Sequence, residues 1–379
     1  MKIAVNLLPF REEIAGVGRF TKNILQELAE IDNRNQYFLF CTKNSRRYFK
    51  AEKENFNYII CGFNSNKILS RILWEQLILP FQLFLRNIDI LFTPSVAIPT
   101  LFRGRKITVI HDIAYVKNKN KYPPGRRIYL SAATKVAFKL SKTILTVSEF
   151  TEREIRAYFK DEDKRITVIY NGVSKAFFEN SSIETKNSIK EKYKLPKKFL
   201  LYVGAIEPGK NIEIIIEAFV DFLMKTGQQI KLVLTGGLGW QKENILKLLD
   251  KYSIKEEVVI LPYLTDEELP YIYNSALILL YLSAYEGFGL PVLEGMASGV
   301  PVIASNVPPI QEFAHDAAFL VNPFDKEKLV KIIQNIIMYS NTERNEIITK
   351  GRERARKFTW SKSARTILSL FNEEANSKS

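Results

Sequence analysis

Two glutamates eight positions apart bracket a glycine-containing turn in the segment Glu286–Glu294, EGFGLPVLE. The apolar run before it, residues 275–282, predicts a buried strand, and Pro291 suits the first position of a helix. Glu286 is therefore expected on the strand-to-helix loop, with the second glutamate in the first helical turn. The backbone amides of Gly289–Val292 are predicted to be unpaired donors at the helix start, which suit a phosphate. The segment thus combines carboxylates that could hold a sugar with donors that could hold a diphosphate. A purely structural alternative is a Gly-Pro loop with an acid that the helix dipole favours.

Further polar residues follow other predicted strands in the first half of the chain. Gly16 and Gly18 open a helix after the first strand, where the backbone could approach a bound group or merely turn. No third glycine completes a dinucleotide fingerprint, which disfavours an NAD enzyme. His111 and Asp112 end a buried strand, a position that favours a functional role over a structural one. Ser148 is expected to cap a helix first and to contact an acceptor second.

The second half of the chain supplies a cation and further loops. Lys210 lies beside a helix start, where it would meet a leaving diphosphate. Gly236 ends the next strand, and Tyr263 and Leu264 lie where backbone atoms could contact a nucleotide base. Residues 161–163 spell the D-x-D pattern of metal-dependent transferases, but their basic neighbours indicate a solvated loop. No His, Cys and Asp cluster has metal-ligand spacing, so no metal is expected.

The elements that position these residues alternate along the whole chain of 379 residues. Strand-like apolar runs followed by helical periods predict an α/β protein with two Rossmann-like, doubly wound parallel-sheet domains. Ligands are expected at the carboxyl ends of the strands, in a cleft between the domains. We place the first domain at 1–176 and the second at 177–359, with the polar stretch 177–198 as the linker.

Composition excludes several classes of protein. A hydrophobic fraction of 46% fits a globular chain and not a disordered one. Residues 68–92 come closest to a membrane-spanning run, but four charged residues interrupt them, so no spanning helix is predicted. The apolar start, residues 1–10, is interpreted as a first strand and not as a signal peptide. Cys41 and Cys61 are expected to be buried free thiols in a reducing cytoplasm.

The net charge of +14 is concentrated in the first half of the chain. Residues 1–180 contain 30 Lys and Arg against 17 Asp and Glu, or +13, and the remainder contains 25 against 24, or +1. Residues 103–142 contain eleven basic residues, Arg126 and Arg127 among them, against the single acid Asp112. An ordinary solvated surface is the alternative, but this density favours an anionic partner: phospholipid headgroups, a lipid-linked pyrophosphate or nucleic acid.

Taken together, these motifs resemble the retaining glycosyltransferases of family 4, which have the two-Rossmann-domain (GT-B) fold. The resemblance is strongest to the mannosyltransferase-B-like branch, which builds O-antigen and related polysaccharides. It covers nearly the whole chain, and order and spacing agree at residues 16–19, 110–112, 147–150, 171–173, 203–211 and 286–294.

The resemblance implies transfer of a hexose from a nucleotide sugar with retained configuration, without a metal or other cofactor. His111, Lys210 and Glu286 would be the catalytic residues: the lysine stabilises the departing diphosphate, the glutamate holds the sugar, and the histidine lies near sugar and acceptor. Glu294 would bind the ribose. The donor-binding residues would be Gly16, Gly18, Gly236, Tyr263, Leu264, Gly287, Phe288, Gly289, Leu290 and Glu294. The acceptor-binding residues would be Asp112, Ser148, Arg126 and Arg127.

The same resemblance favours mannose from GDP-mannose, an anionic lipid-linked or oligosaccharide acceptor, and no nucleic acid. We expect a cytoplasmic protein, peripheral on the inner face of the cell membrane, whose final helix, about 360–379, returns to the first domain. One departure stands out: the family's second phosphate cation, an Arg, is replaced by Gly209 or Ala205. A basic nucleic-acid-binding protein and a sugar-nucleotide epimerase of related fold are the alternatives.

Overall fold

The computed structural model describes residues 1–10, 16–63, 68–117, 122–179, 183–236 and 242–376. The chain divides into two compact units, Met1–Gly172 with Thr359–Ser379, and Val173–Phe358. Each unit contains a parallel sheet flanked by helices, which confirms the predicted α/β class with two doubly wound sheets.

The sheet of the first unit has the strand order β3-β2-β1-β4-β5-β6-β7. Its strands are β1 (Lys2–Asn6), β2 (Gln36–Cys41), β3 (Phe56–Ile60), β4 (Ile90–Thr93), β5 (Arg105–Ile110), β6 (Thr143–Thr146) and β7 (Ile166–Val168). The sheet of the second unit has the order β10-β9-β8-β11-β12-β13. Its strands are β8 (Phe199–Val203), β9 (Lys231–Thr235), β10 (Val258–Ile260), β11 (Ile278–Tyr281), β12 (Val302–Ser305) and β13 (Phe319–Val321). The strand order reverses between β1 and β4 and between β8 and β11, and ligands of such sheets bind where the order reverses.

Helices connect the strands. In the first unit they are α1 (Gly16–Ile31), α2 (Lys43–Arg46), α3 (Ile68–Leu73), a π-helical turn (Trp74–Ile78), α4 (Leu79–Leu85), α5 (Ala114–Lys117), α6 (Pro124–Leu140) and α7 (Glu149–Phe159). In the second unit they are α8 (Ile183–Lys192), α9 (Ile212–Thr226), α10 (Lys242–Lys251), α11 (Leu269–Ser275), α12 (Leu290–Ala297), α13 (Pro308–Ala314), α14 (Lys326–Met338) and α15 (Asn341–Ala355), with short 3-10 turns at Lys175–Phe177, Lys255–Glu257 and His315–Ala317. The last helix, α16 (Trp360–Asn376), belongs to the first unit and packs on α1.

The structure departs from the sequence-based expectations in three places. The stretch predicted as a linker, residues 177–198, contains α8, whose polar sequence carries little apolar periodicity. Strand β13, of three residues, was not predicted; it forms by pairing with β12. Within residues 68–92, α3, the π turn and α4 form a continuous helix, Ile68–Leu85, that is apolar and long enough to cross a membrane by length and composition alone.

Both cysteines, Cys41 and Cys61, are buried free thiols, as expected. Parts of three predicted segments lie outside the described residues: Ile14 and Ala15 before Gly16, Lys119 and Lys121 of the basic stretch, and Gly237.

Candidate active site

Lys210 and Glu286 meet at the reversal point of the second sheet. Lys210 follows β8 and Glu286 follows β11, the neighbouring strand, so the two loops leave the same edge of the sheet. The Lys210 Nζ lies 2.5 Å from Glu286 Oε1. Only 12% of the lysine side chain and 13% of the glutamate side chain are exposed, so water screens the pair weakly.

Tyr281, the last residue of β11, completes this cluster and was missed by the sequence analysis. Its hydroxyl donates to Glu286 Oε1 at 2.5 Å and accepts from Lys210 Nζ at 3.3 Å. The ring of Tyr202 stacks against it, with the centroids 6.4 Å apart. A tyrosine within an apolar run is most simply interpreted as core, so the available signal was its place at the ligand-facing end of the strand.

The charges of the cluster stabilise one another. Burial by itself raises the pKa of the Glu286 carboxyl, but the Lys210 charge and the hydrogen bonds from Lys210 and Tyr281 hold that pKa below its ordinary value. Burial lowers the pKa of Lys210, and the Glu286 charge more than offsets this, so the net shift is upward. Burial and the same carboxylate raise the pKa of Tyr281. At neutral pH the cluster therefore contains a carboxylate, an ammonium and a protonated phenol.

Backbone and side-chain hydrogen bonds fix the two loops against each other. The Ala284 amide donates to the Gly209 carbonyl at 2.8 Å, and Asn211 Nδ2 donates to the Leu282 carbonyl at 2.9 Å. Gly209 has φ 89°, in the left-handed region that other residues adopt only with strain. The local backbone therefore favours glycine at position 209, one of the two positions, with Ala205, where the resemblance implied an Arg.

The start of α12 corrects one expectation. The Val292 amide donates to the Gly289 carbonyl at 3.0 Å, and Pro291 has no N–H, so the amides of Gly289–Val292 are not all available to a ligand. The amides of Gly289 and Leu290 precede this first helical bond. Gly289 has φ 111°, and a Cβ there would lie 3.1 Å from Ile310 Cγ1.

The remaining donor-site residues of the second unit lie on the same edge of the sheet or in α12. Gly287 and Leu290 are buried, and Phe288 stacks on Phe313 with the centroids 4.6 Å apart. Glu294 is 2% exposed and accepts a hydrogen bond from the Tyr273 hydroxyl at 3.0 Å.

The loops after β9 and β10 complete this edge. Gly236 has φ 127°, and a Cβ there would lie 2.4 Å from the Gly204 carbonyl oxygen, so the loops after β8 and β9 touch through backbone. Tyr263 is 43% exposed, whereas Leu264 is buried. Thr235 Oγ1 donates to the Pro262 carbonyl at 3.0 Å and joins the two loops.

Comparisons with known proteins decide the family. Residues 14–177 match the family described as Glycosyltransferase Family 4, and residues 184–354 match Glycosyl transferases group 1. O-antigen chain mannosyltransferase B of Escherichia coli is 32% identical over 258 residues, which are 68% of this chain and 67% of that protein. The chain belongs to the family 4 glycosyltransferases.

Other relatives agree. O-antigen chain mannosyltransferase RfbU of Salmonella typhimurium is 29% identical over 88% of this chain and 90% of its own. The serotype-specific mannosyltransferase WbdA of Escherichia coli is 28% identical over 70% of this chain but only 33% of its own length, so the chain spans about a third of that relative.

Solved structures show the same GT-B fold. Sucrose-phosphate synthase of Thermosynechococcus elongatus superposes with a TM-score of 0.81 at 19% identity, covering all of both chains. HepE of Anabaena in complex with UDP-glucose gives 0.78 at 16% identity, covering 98% of this chain and 100% of that one. WaaG, a glycosyltransferase involved in lipopolysaccharide biosynthesis, gives 0.76 at 15% identity, covering 97% and 99%.

In this glycosyltransferase His111 lies in the first unit, directly after β5. Its Nε2 is 3.0 Å from the Pro94 carbonyl oxygen, which can only accept, so Nε2 carries the proton and Nδ1 can accept one. Burial lowers the pKa of the imidazole to about 4, against smaller opposing effects of Pro94 and Asp112. The ring is therefore neutral at neutral pH.

The other residues predicted from the first half have local partners. Asp112 Oδ1 accepts from the Ala114 amide at 2.8 Å. Ser148 is fully buried and caps α7, as expected, by accepting from the Thr151 amide at 3.1 Å.

Glycines and arginines of the first unit lie at the starts of two helices. Gly16 is exposed and Gly18 buried in the first turn of α1. Arg126 and Arg127 lie in the first turn of α6, and the Arg126 guanidinium stacks 5.3 Å from the Tyr122 ring centroid.

The D-x-D segment is a solvated loop, as expected: Asp161 Oδ1 accepts from the amides of Asp163 and Lys164. Within the part of the chain that the structure describes, no group of three or more His, Cys, Asp or Glu is arranged to hold a metal ion.

Proposed function

We propose that the chain transfers mannose from GDP-mannose, with retained anomeric configuration, to a lipid-linked or oligosaccharide acceptor during synthesis of O-antigen or a related surface polysaccharide. The Lys210–Glu286 pair carries this proposal, because it places a cation and a carboxylate together at the ligand-binding edge of the sheet. The relatives named O-antigen mannosyltransferases support the sugar and the pathway class. The UDP-glucose complex of HepE supports a nucleotide sugar as donor.

Each residue of the cluster has a role in this transfer. Lys210 and the amides of Gly289 and Leu290 stabilise the departing diphosphate. The Glu286 carboxylate accepts hydrogen bonds from hydroxyls of the sugar, and Glu294 holds the ribose. The bond between the anomeric carbon and the diphosphate oxygen breaks, and the acceptor hydroxyl oxygen bonds to that carbon. The acceptor's proton leaves with the diphosphate.

The protein would work without a metal, on the cytoplasmic face of the membrane. Lys210 and the helix-start donors then neutralise the diphosphate in place of a cation such as Mg²⁺. Transfer should therefore persist in EDTA.

The experiment is a donor panel followed by transfer assays. Thermal shifts with GDP-, UDP-, dTDP- and ADP-sugars should be largest with GDP-mannose, and label should pass to an O-antigen-type acceptor. Lys210→Ala and Glu286→Gln should each lower kcat/KM by about 100-fold or more, since each removes a charged contact in a weakly screened site. Lys326→Ala, which breaks an exposed ion pair with Asp221 in the same unit, is the matched control and should be active.

Two results would overturn this assignment. Full activity in both Lys210→Ala and Glu286→Gln would show that these residues do not form the active site. Conversion of the donor to an isomeric nucleotide sugar with no acceptor present would indicate an epimerase.

A further inference from the structure

The helix Ile68–Leu85, formed by α3, the π turn and α4, exposes an entirely apolar face. Every exposed residue of this helix is apolar, and each has 43% to 75% of its surface open to solvent. These residues, named here the apolar face, are Ile68, Leu69, Leu73, Leu77, Ile78, Phe81, Phe84 and Leu85. Such a continuous apolar surface is rare on a soluble monomer and marks a contact with another apolar phase.

The charged residues of the same helix point inward. Glu75 is 1% exposed, accepts from Asn6 Nδ2 at 3.2 Å and lies 3.7 Å from Arg71 Nε. Arg71 also donates to the Tyr129 hydroxyl at 3.0 Å. Arg71 and Glu75, two of the charged residues that disfavoured a membrane helix in the sequence, therefore have partners within the first unit. The outward face of the helix is left uncharged.

The helix is fastened to the first unit along its length. Leu79 and Leu83 are fully buried in a core cluster with Ala4 of β1 and Leu91 of β4. A helix that crossed a bilayer would have to leave this core, although its length of 18 residues and mean hydropathy of 1.3 would allow it to span. The same geometry permits the helix, about 27 Å long, to lie parallel to a membrane surface.

The segments beside the helix add apolar and basic groups. The Thr100 amide donates to Gln76 Oε1 at 3.0 Å, which places the exposed Leu101, and Arg103 after it, beside the helix. The Arg71–Tyr129 hydrogen bond does the same for the first turns of α6, where Ile128 is 68% exposed.

The segments that form and flank the apolar face are rich in basic residues. Residues 68–110 and 122–142 contain ten Lys and Arg but only two acids, the buried Glu75 and the half-buried Asp89. The basic residues are Arg71, Arg86, Arg103, Arg105, Lys106, Arg126, Arg127, Lys135, Lys139 and Lys142. Lys106 is only 5% exposed, and Lys142 pairs with Glu374 of α16 at 3.3 Å. Arg103, Arg126 and Arg127 lie in the segments that the hydrogen bonds of Gln76 and Arg71 hold beside the helix. An apolar face with a basic surround matches the interfacial zone of a membrane with anionic headgroups.

We propose that the apolar face inserts into the interfacial region of an anionic bilayer and holds the first unit on the membrane, with Arg103, before β5, and Arg126 and Arg127 of α6 contacting lipid phosphates. Bound in this way, the enzyme would be close to its lipid-linked acceptor. This role rests on the proposed function, whereas membrane binding itself does not. The alternative is that the apolar face binds a second copy of the chain. In such a dimer the basic residues beside the two faces would repel each other.

The experiment is vesicle flotation with the purified full-length chain. Vesicles of phosphatidylglycerol and phosphatidylcholine are compared with vesicles of phosphatidylcholine alone, at low and high salt. The test variant is Leu77→Glu with Phe84→Glu, both at positions more than 60% exposed. The control variant is Met224→Glu with Met338→Glu, which puts the same charges at exposed apolar positions of the second unit.

We expect wild type and the control to float with the anionic vesicles, more weakly at high salt. The test variant should partition about 100-fold or more weakly, because it loses two inserted side chains and gains two charges, while melting at the same temperature. Lys210→Ala should float like wild type even if it transfers no sugar, which separates this inference from the proposed function. Equal flotation of test and control variants, no flotation of wild type, or a dimer that the test variant dissociates would each overturn it.

Discussion

Lys210, Glu286 and Tyr281 form a preorganised cluster whose members depend on each other for their charge state. A buried ammonium or carboxylate alone would be strongly destabilising, and together they stay ionised because each offsets the desolvation of the other. Tyr281 donates to the carboxylate oxygen that also contacts Lys210, so the phenol fixes the rotamer of Glu286. Substrate binding then has only to redirect contacts that are already in place.

Tyr281→Phe tests this role. Without the phenol hydrogen bond the pKa of Glu286 rises toward its ordinary value, and ionised Glu286 is the active form. Activity is lost as pH falls through this pKa, so the acid limb of the kcat/KM profile should move to higher pH. We also expect about a tenfold loss on the neutral plateau, the size of one hydrogen bond to a charged group. Tyr252→Phe, on another surface of the second unit, should change neither limb nor plateau. An unshifted acid limb in Tyr281→Phe would show that the phenol does not influence the carboxylate.

Elements whose signals are local could be predicted from the sequence. The sequence predicts strands at residues 2–6, 90–93, 199–203 and 231–235, because each is a short apolar run, and β1, β4, β8 and β9 have these bounds. Lys210 and Glu286 could also be placed in one site from the sequence, because both follow predicted strands and ligands bind at the carboxyl ends of parallel strands. The role of Tyr281 could not be predicted, because a tyrosine within an apolar run is most simply interpreted as a core residue.

The elements that were missed depend on distant partners. The charges of Ile68–Leu85 could not be assigned to the interior, because Asn6 and Tyr129, which bind them, lie more than 50 residues away in sequence. Three-residue β13 forms by pairing with β12 and carries no pattern of its own. Such long-range pairings are not encoded in local periodicity.

Two glycines predicted to bind the donor, each at the start of a helix, test whether the local backbone requires glycine. Gly289→Ala puts a side chain at φ 111° with its Cβ 3.1 Å from Ile310, so we expect a loss of about 1–3 kcal/mol in unfolding free energy. Gly16→Ala meets no atom within 4 Å in a helical turn and should be neutral or stabilising by up to about 1 kcal/mol. Urea denaturation measures both. A large loss from Gly16→Ala, or none from Gly289→Ala, would contradict the backbone argument.

At the scale of the whole molecule, the first unit is completed by residues from the far end of the chain. A Cβ at Gly172 would lie 2.1 Å from the Trp360 amide nitrogen, so the outgoing and returning segments touch through backbone. Phe371 of α16 is fully buried and packs edge-on to Phe92 of β4, with the centroids 5.7 Å apart. Thr143 of β6 donates to Glu374 at 3.1 Å. The core of this unit therefore cannot close until the C-terminal helix is in place.

Phe371→Ala should accordingly destabilise the first unit from a position more than 200 residues beyond its last strand. Truncating a buried phenylalanine leaves a cavity and costs about 3–5 kcal/mol. Backbone amides of β4 and β5 should then exchange with solvent about 100-fold faster or more. Amides of β8 and β11 should exchange as in wild type, because the cavity opens beside Phe92, in the core of the first unit. Met338→Ala, at a position 79% exposed, is the control and should leave both sets unchanged. Equal acceleration in all four strands would mean that the two units open as one cooperative body.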